Sequence, residues 1–417
     1  MRKRTNVTIE VDGQGRFLFP AEAARRLGLI PGAKVCLEAD ETGLRISHAM
    51  DRLARIYIEP TNACNLDCST CMRNVWEEPL GRMAWATFQR VLDGALSFSP
   101  LPSIFFGGFG EPLAHSAVFE MIAAARRVGC ETELITNGTL IDETAAARLV
   151  EAGLKRIWVS IDGASPQSYA DVRLGDMLPQ VIVNLERLAA IRERRGAGLP
   201  RLGIAFVAMR RNIADLPDII LLGRRLGADR FSISNVLPHT AEIREQMLYE
   251  PWVYNSDLPP SQWSPEIAFP RMDLDASTVG IVAQSLQGRG RLGIARQHLR
   301  LGANACPFLE KGSLSVRWDG AVSPCLPLMH THQSYLGEHL RFSHSCSFGS
   351  VRERSLAECW HDPRYAVLRQ RLQSFDFSPC TFCNSCEMAQ ANLEDCFGNV
   401  HPTCGGCLWA QGYVQCP

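Results

Sequence analysis

Residues 56–74 read IYIEPTNACNLDCSTCMRN. The opening run of β-branched and aromatic residues stops at Pro60, as a short buried strand does. Cys64, Cys68 and Cys71 then share one loop, at the carboxyl end of a strand, where α/β barrels place their chemistry. A structural zinc site takes four ligands, usually as two C-x-x-C pairs, and only three are local here. A cubane iron–sulfur cluster also takes four. Three protein ligands leave one iron open to a small molecule, and zinc or a redox sensor stands as the other reading of the loop.

Composition narrows the class. The chain has 417 residues, 46% hydrophobic and 21% charged, with a formal net charge of −1. That suits an ordinary globular protein and gives no global attraction to nucleic acid or anionic membrane. MRKR at residues 1–4 is followed by TNVTIEVDGQGRFLFP rather than an apolar h-region. No run of about 18 apolar residues follows either, so a cytoplasmic protein without a membrane span is expected. In a reducing compartment, 16 cysteines point to metal or redox chemistry rather than disulfides. Apart from Cys36 they fall into two regions, residues 64–71 and 306–416, with Cys130 alone between.

From Ile56 onward the pattern alternates. RIYIEP, SIFFGGFG, ETELITNG, RIWVSIDG, RLGIAFVAM and DRFSISNVLP are strand candidates, separated by helical patterns such as WATFQRVLDGAL and DLPDIILLGRRLG. Six strands with intervening helices predict parallel βα units, in an open sheet or a partial barrel. The strand ends carry polar and glycine-rich elements in succession. They are Gly107, Gly108 and Gly110 in FFGGFGEPL, Asn137 in ITNG, and Ser160 and Asp162 in VSIDG. Glycine without a Cβ lets backbone approach a ligand closely, although such turns also occur as turns alone and strand-end Ser or Asp often caps a helix.

Together these elements resemble the radical S-adenosylmethionine (SAM) superfamily, whose signature is C-x-x-x-C-x-x-C after the first barrel strand. The resemblance implies the α/β class with a partial (β/α)6 barrel. It implies that SAM binds the open iron of a 4Fe–4S cluster held by Cys64, Cys68 and Cys71. Reductive cleavage then gives methionine and a 5′-deoxyadenosyl radical that abstracts hydrogen from a substrate. On this likeness Gly107, Gly108, Gly110 and Glu111 meet the SAM amino group. Asn137, Ser160 and Asp162 meet the ribose and carboxylate region, Arg173 pairs the carboxylate, and Asn235 and Leu237 lie on the adenine side. The superfamily usually has an aromatic residue before the third cysteine; here it is Thr70.

The tail from Cys306 resembles the SPASM extension of radical SAM maturases. Cys306 and Cys325, with Gly320 five residues before the second, open it, FGSVRERSLAECWHDPRYAVLRQRL matches its connecting helix, and CTFCNSC opens the second group. The likeness implies two auxiliary 4Fe–4S clusters, three clusters in all. By the family's crossed pattern Cys306, Cys325 and Cys396 share one, and Cys380, Cys383, Cys386 and Cys416 hold the other. Cys404 and Cys407, in CGGC, are extra to that pattern, and a zinc ribbon is the alternative. Cys36, Cys130, Cys346 and Cys359 have no metal spacing and read as bystanders.

Residues 1–50 resemble the AbrB/MazE swapped-hairpin family, at Val11-Asp12, Gly15-Arg16, Pro20, Arg25, Leu27-Gly28 and Gly32, which implies a homodimer. AbrB-like modules bind DNA, but with this overall charge dimerisation or substrate docking is the expectation. The division expected is therefore 1–50 swapped-hairpin, 51–238 barrel, 239–305 a bridging insertion without βα rhythm, and 306–417 the auxiliary-cluster domain. Trp252, Tyr254 and Trp263 of the insertion are candidates for flooring the cavity, and Asp273, Asp275 and His239 read as solvated or structural. The family likeness implies a maturase of a peptide or protein, served by a low-potential donor such as ferredoxin or flavodoxin. The ending PTCGGCLWAQGYVQCP is similar to maturases of tungsten-containing aldehyde:ferredoxin-type oxidoreductases. A pterin- or nucleotide-directed radical SAM enzyme, and a DNA-binding redox regulator without turnover, are the alternatives.

Overall fold

The computed structural model describes residues 10–14, 16–20, 35–40, 43–48, 52–173, 175–249, 266–269, 272–273, 275–287, 291–294, 304–381 and 386–417. Two short antiparallel ribbons lie at the front: β1 (Glu10–Val11) with β2 (Phe17–Leu18), and β3 (Val35–Asp40) with β4 (Gly43–His48). Gly15, Arg25, Leu27, Gly28 and Gly32, on which the swapped-hairpin likeness rests, lie outside the described residues.

Six parallel strands then follow in sequential order: β5 (Arg55–Ile58), β6 (Ser103–Phe106), β7 (Thr132–Thr136), β8 (Arg156–Ser160), β9 (Arg201–Ala208) and β10 (Ala228–Asn235). The helices between them include α1 (Trp85–Ala95), α2 (Val118–Arg127), α3 (Glu143–Glu151), α4 (Pro166–Arg173), α5 (Leu178–Arg194) and α6 (Leu216–Arg225). Side-chain alternation sorts the two faces of the sheet. Ile56, Ile58, Ile104, Phe106, Ile204 and Phe206 pack in the core that also takes in the helices, whereas Tyr57, Phe105 and Trp158 form a second cluster with the C-terminal residues. Both faces are buried, which is why these strands read as near-continuous apolar runs. Burying each such aliphatic or aromatic side chain contributes about 1.5–3 kcal/mol.

Two expectations are corrected. The insertion does carry βα rhythm: β11 (Glu266–Phe269) and β12 (Arg291–Ile294) extend the sheet in parallel beyond β10, with α8 (Val279–Gln287) between them, after a short α7 (Ala241–Arg244). Each strand is four residues long, as β5 and β6 are, but lies amid Pro- and Arg-rich sequence without the motif that marks the ends of those strands. Asp275 is structural, accepting the Ser277 and Thr278 amides ahead of α8. Trp252, Tyr254 and Trp263 lie outside the described residues. The connecting helix is two helices, α10 (Leu356–Trp360) and α11 (Pro363–Ser374). Ser355 and Glu358 make a capping box for the first, and Asp362 caps the second, whose Pro363 cannot continue a preceding helix.

The C-terminal segment is built onto the barrel. After α9 (Pro307–Glu310), β13 (Ser313–Val316) pairs in parallel with β5 and covers its edge, and β14 (Val322–Ser323) turns back on it. A hairpin of β15 (His332–Leu336) and β16 (His339–Ser343) packs beside the carboxyl end of β10, where the Tyr335 amide donates to the Pro238 carbonyl. Residues 413–415 lie along β10: Asn235 donates to the Tyr413 carbonyl, the Gln415 amide donates to Ser234, and the Tyr413 and Tyr249 rings stack at 4.7 Å. No helix of the described residues is long and apolar enough to cross a membrane.

Candidate active site and metal centres

The three-cysteine loop hangs from β5 and is tied down by its backbone. The Cys71 amide donates to the Cys68 carbonyl, and both the amide and hydroxyl of Ser69 donate to the Val172 carbonyl at the end of α4. N–H groups reach two of the sulfurs: Leu66 lies 3.4 Å and Asn137 Nδ2 3.9 Å from Cys64, and Arg173 lies 3.5 Å from Cys68. Burial pushes the Cys71 thiol up, and the neighbouring Cys68 and Cys64 add to this while Arg73 opposes it. Thiols that are buried or half-buried and receive N–H bonds suit metal-bound thiolates, whose cluster potentials such bonds help set.

Glycine shapes the turn beside them. A Cβ on Gly110 would lie 2.2 Å from the Thr61 carbonyl oxygen and 2.5 Å from that of Ala63. Gly108 adopts φ +129, and a Cβ there would strike Glu59. The turn is open only to glycine because it packs directly on the segment that leads into the three-cysteine loop. Glu111 is 2% exposed and accepts the Leu113 amide, the Thr136 hydroxyl and the Asn137 amide. Its carboxylate therefore ties the glycine turn to the end of β7. Burial raises its pKa, against those three bonds.

Asp162 and Arg173, both expected at the SAM carboxylate, are paired with each other; Asp162 also accepts the Val207 amide. Arg173 Nε is buried without a partner, an unused donor at the site. Asn137 binds Asn65 and Thr139, Asn235 is engaged by Tyr413, Ser160 closes β8, and Leu237 packs among the barrel-interior aromatics.

Sequence reading missed Glu59 and His330. Glu59 stands two residues beyond the inward-facing Tyr57, fully buried, and accepts the Phe109 amide at 3.3 Å. His330 Nε2 lies 2.9 Å from Glu59, and its Nδ1 lies 2.6 Å from Glu78, which also pairs with Arg317 at 3.3 Å. Trp76 packs on the imidazole at 4.1 Å. With a carboxylate facing each ring nitrogen, the doubly protonated imidazolium is the form this contact favours. Burial pulls its pKa down, but Glu59 and Glu78 outweigh that and hold it above 6.5. Residue parity could have exposed Glu59; nothing in the sequence pairs it with a histidine 271 residues away.

In the tail, Cys306, Cys325, Cys404 and Cys407 line one cavity. Burial pushes the Cys306 thiol up to about 12 and raises Cys325 and Cys404 well above the usual thiol value, with the other thiols of the set adding to it. Thiols so crowded resist ionisation until a cation replaces their protons. Cys396 is exposed and neighbours Cys380 rather than Cys306, and Cys416 lies beside Lys311 and Cys407. The crossed allocation is thus not what the structure brings together, because the CGGC turn takes the place expected of Cys396. Cys383 lies outside the described residues, and Cys386 is exposed.

Family comparisons agree with this geometry. Residues 58–223 match the radical SAM superfamily and residues 306–387 the SPASM iron–sulfur cluster-binding domain. The chain is 30% identical over 367 residues to the tungsten-containing aldehyde ferredoxin oxidoreductase cofactor-modifying protein of Pyrococcus furiosus, spanning 87% of this chain and 96% of that one. It is 33% identical over 178 residues to the PqqA peptide cyclase of Gluconobacter oxydans, covering 42% of this chain and 48% of that protein. Streptococcus suis SuiB bound to precursor peptide SuiA shares the fold at TM-score 0.55 and 17% identity, over 80% of this chain and 70% of that one. The domains imply SAM, its 4Fe–4S cluster and auxiliary clusters. The chain belongs to the radical SAM enzymes, in the SPASM-bearing maturase family that includes the Pyrococcus protein.

Proposed function

We propose that this enzyme matures a tungsten-containing aldehyde ferredoxin oxidoreductase, abstracting hydrogen from that protein or from the cofactor-bearing site within it. The observation that carries the reading is the end-to-end likeness to the Pyrococcus cofactor-modifying protein, 96% of whose length is matched. Peptide-directed relatives support a polypeptide partner.

In this reading Cys64, Cys68 and Cys71 hold the cluster that binds SAM, which when bound supplies a hydrogen-abstracting radical. The protein's own work is positional. The glycine turn receives the amino group of SAM, with Glu111 pinning that turn to β7. Arg173, fixed by Asp162, offers Nε toward the carboxylate. Glu59 and His330 brace the turn from below. Cys306, Cys325, Cys404 and Cys407 hold one auxiliary cluster. Cys380, Cys383, Cys386 and Cys396 are the ligands proposed for a second, and a low-potential ferredoxin or flavodoxin supplies electrons. The front module serves dimerisation or docking rather than DNA binding.

An anaerobic pull-down of the cluster-reconstituted enzyme from its own extract, read by mass spectrometry, tests the partner. Retention of a tungsten oxidoreductase subunit supports the reading. The words "cofactor-modifying" in the relative's name favour one alternative, a free pterin or nucleotide substrate. It gains if no protein is retained and 5′-deoxyadenosine formation responds to the small molecule alone.

A further inference from the structure

Arg341 is the buried residue of β16, with 3% of its surface exposed, yet no carboxylate pairs with it among the described residues. Its guanidinium donates to the Ala389 carbonyl and lines the cavity of Cys306, Cys325, Cys404 and Cys407. It lies flat against the CGGC turn: a Cβ on Gly406 would sit 2.9 Å from its central carbon. Gly405 is equally committed, since a Cβ there would overlap the Ser378 carbonyl oxygen, two residues before Cys380. The groups able to carry negative charge that face the guanidinium are Cys380, Cys404 and Cys407. Arginine keeps its charge under protein conditions. A buried charge without an opposite charge is strongly disfavoured. The thiol set therefore leaves a cation that only an anionic occupant of the cavity completes.

We infer that Arg341 is the fixed counter-charge of the auxiliary cluster held by Cys306, Cys325, Cys404 and Cys407, and that it holds that cluster's reduction potential up. The inference rests on the reading that the cavity takes a 4Fe–4S cluster. Such a cluster with four thiolates is net anionic, and adding an electron makes it more so. A cation held in a low-dielectric wall favours the reduced form. Arg341 touches no substrate in this account; it is a positioning and tuning residue of the cavity that Cys306, Cys325, Cys404 and Cys407 line.

The test is a potentiometric titration, followed by electron paramagnetic resonance, of full-length reconstituted enzyme. The barrel cluster is silenced by Cys64→Ala, Cys68→Ala and Cys71→Ala together, so that only auxiliary signals remain. Arg341→Gln with unchanged iron content is expected to shift an auxiliary midpoint to more negative potential, and Arg341→Lys to stay close to the parent. An unchanged midpoint in fully loaded Arg341→Gln overturns the inference. If Arg341→Gln takes up no iron, Arg341→Lys decides. Loading with a near-parental midpoint supports the counter-charge role, and failure to load overturns it, because shape rather than charge then matters. Absence of auxiliary signals in the parent defeats instead the reading of the cavity as a cluster site.

Discussion

At the scale of single residues, His330 and Gly110 carry the sharpest consequences. Because the His330 pKa is raised in the folded protein, its contribution is fully present below about 6.5, the unfolded value, and is lost as pH rises through the higher folded value. His330→Gln is expected to lower unfolding free energy by about 1–3 kcal/mol near pH 6. The deficit shrinks at alkaline pH, as denaturant titrations at both pH values would show. An equal deficit at both contradicts a charged ring. Gly110→Ala places a methyl group against two backbone carbonyls that cannot yield. SAM affinity, read by equilibrium binding to the reconstituted enzyme, is expected to fall at least about tenfold, roughly 1.4 kcal/mol. The glycine turn and the three cysteines were legible because their spacing is local. The His330–Glu59 contact was not, since it is made only when β13 and the segment after it are laid along β5.

Among the elements, the six barrel strands with helices between them were readable, while β11 and β12 were not. These two strands are as short as β5 and β6 but lack the cysteine loop or glycine turn that follows those strands and marks their ends. The strip at residues 413–415 shows the same limit: its bonds to Asn235 and Ser234 depend on tertiary placement. Tyr413 is 1% exposed and stacks on Tyr249 at an interplanar angle of 14°. Tyr413→Ala is expected to cost about 3–5 kcal/mol in urea unfolding; a loss under about 1 kcal/mol contradicts the packing of this strip along β10. The CGGC turn belongs here too. Cys404→Ala with Cys407→Ala is expected to remove about four iron atoms per chain, measured against protein concentration. Cys396→Ala is expected to spare the cluster at Cys306 and Cys325, leaving its resonance signal intact.

For the whole molecule, the C-terminal domain is stitched to the barrel along β5 through β13, at the barrel mouth through the Glu59–His330–Glu78–Arg317 chain, and along β10 through residues 413–415. The cavity of Cys306, Cys325, Cys404 and Cys407 and the glycine turn beside the three-cysteine loop are thus parts of one packed body. The two cysteine regions open in the segments that match the radical SAM superfamily and the SPASM domain, and that much was legible from spacing. The ligand sets within the tail were not, because nine cysteines of similar spacing admit several pairings and only packing brings Cys404 and Cys407 to Cys306.

The measurement that bears most directly on the account is 5′-deoxyadenosine formation under anaerobic reduction, with and without the unmatured tungsten-containing oxidoreductase, in the parent and in Cys64→Ala. The account predicts formation that rises when the oxidoreductase is added and vanishes in Cys64→Ala. Formation in the parent that the oxidoreductase leaves unchanged, or that persists in Cys64→Ala, contradicts it.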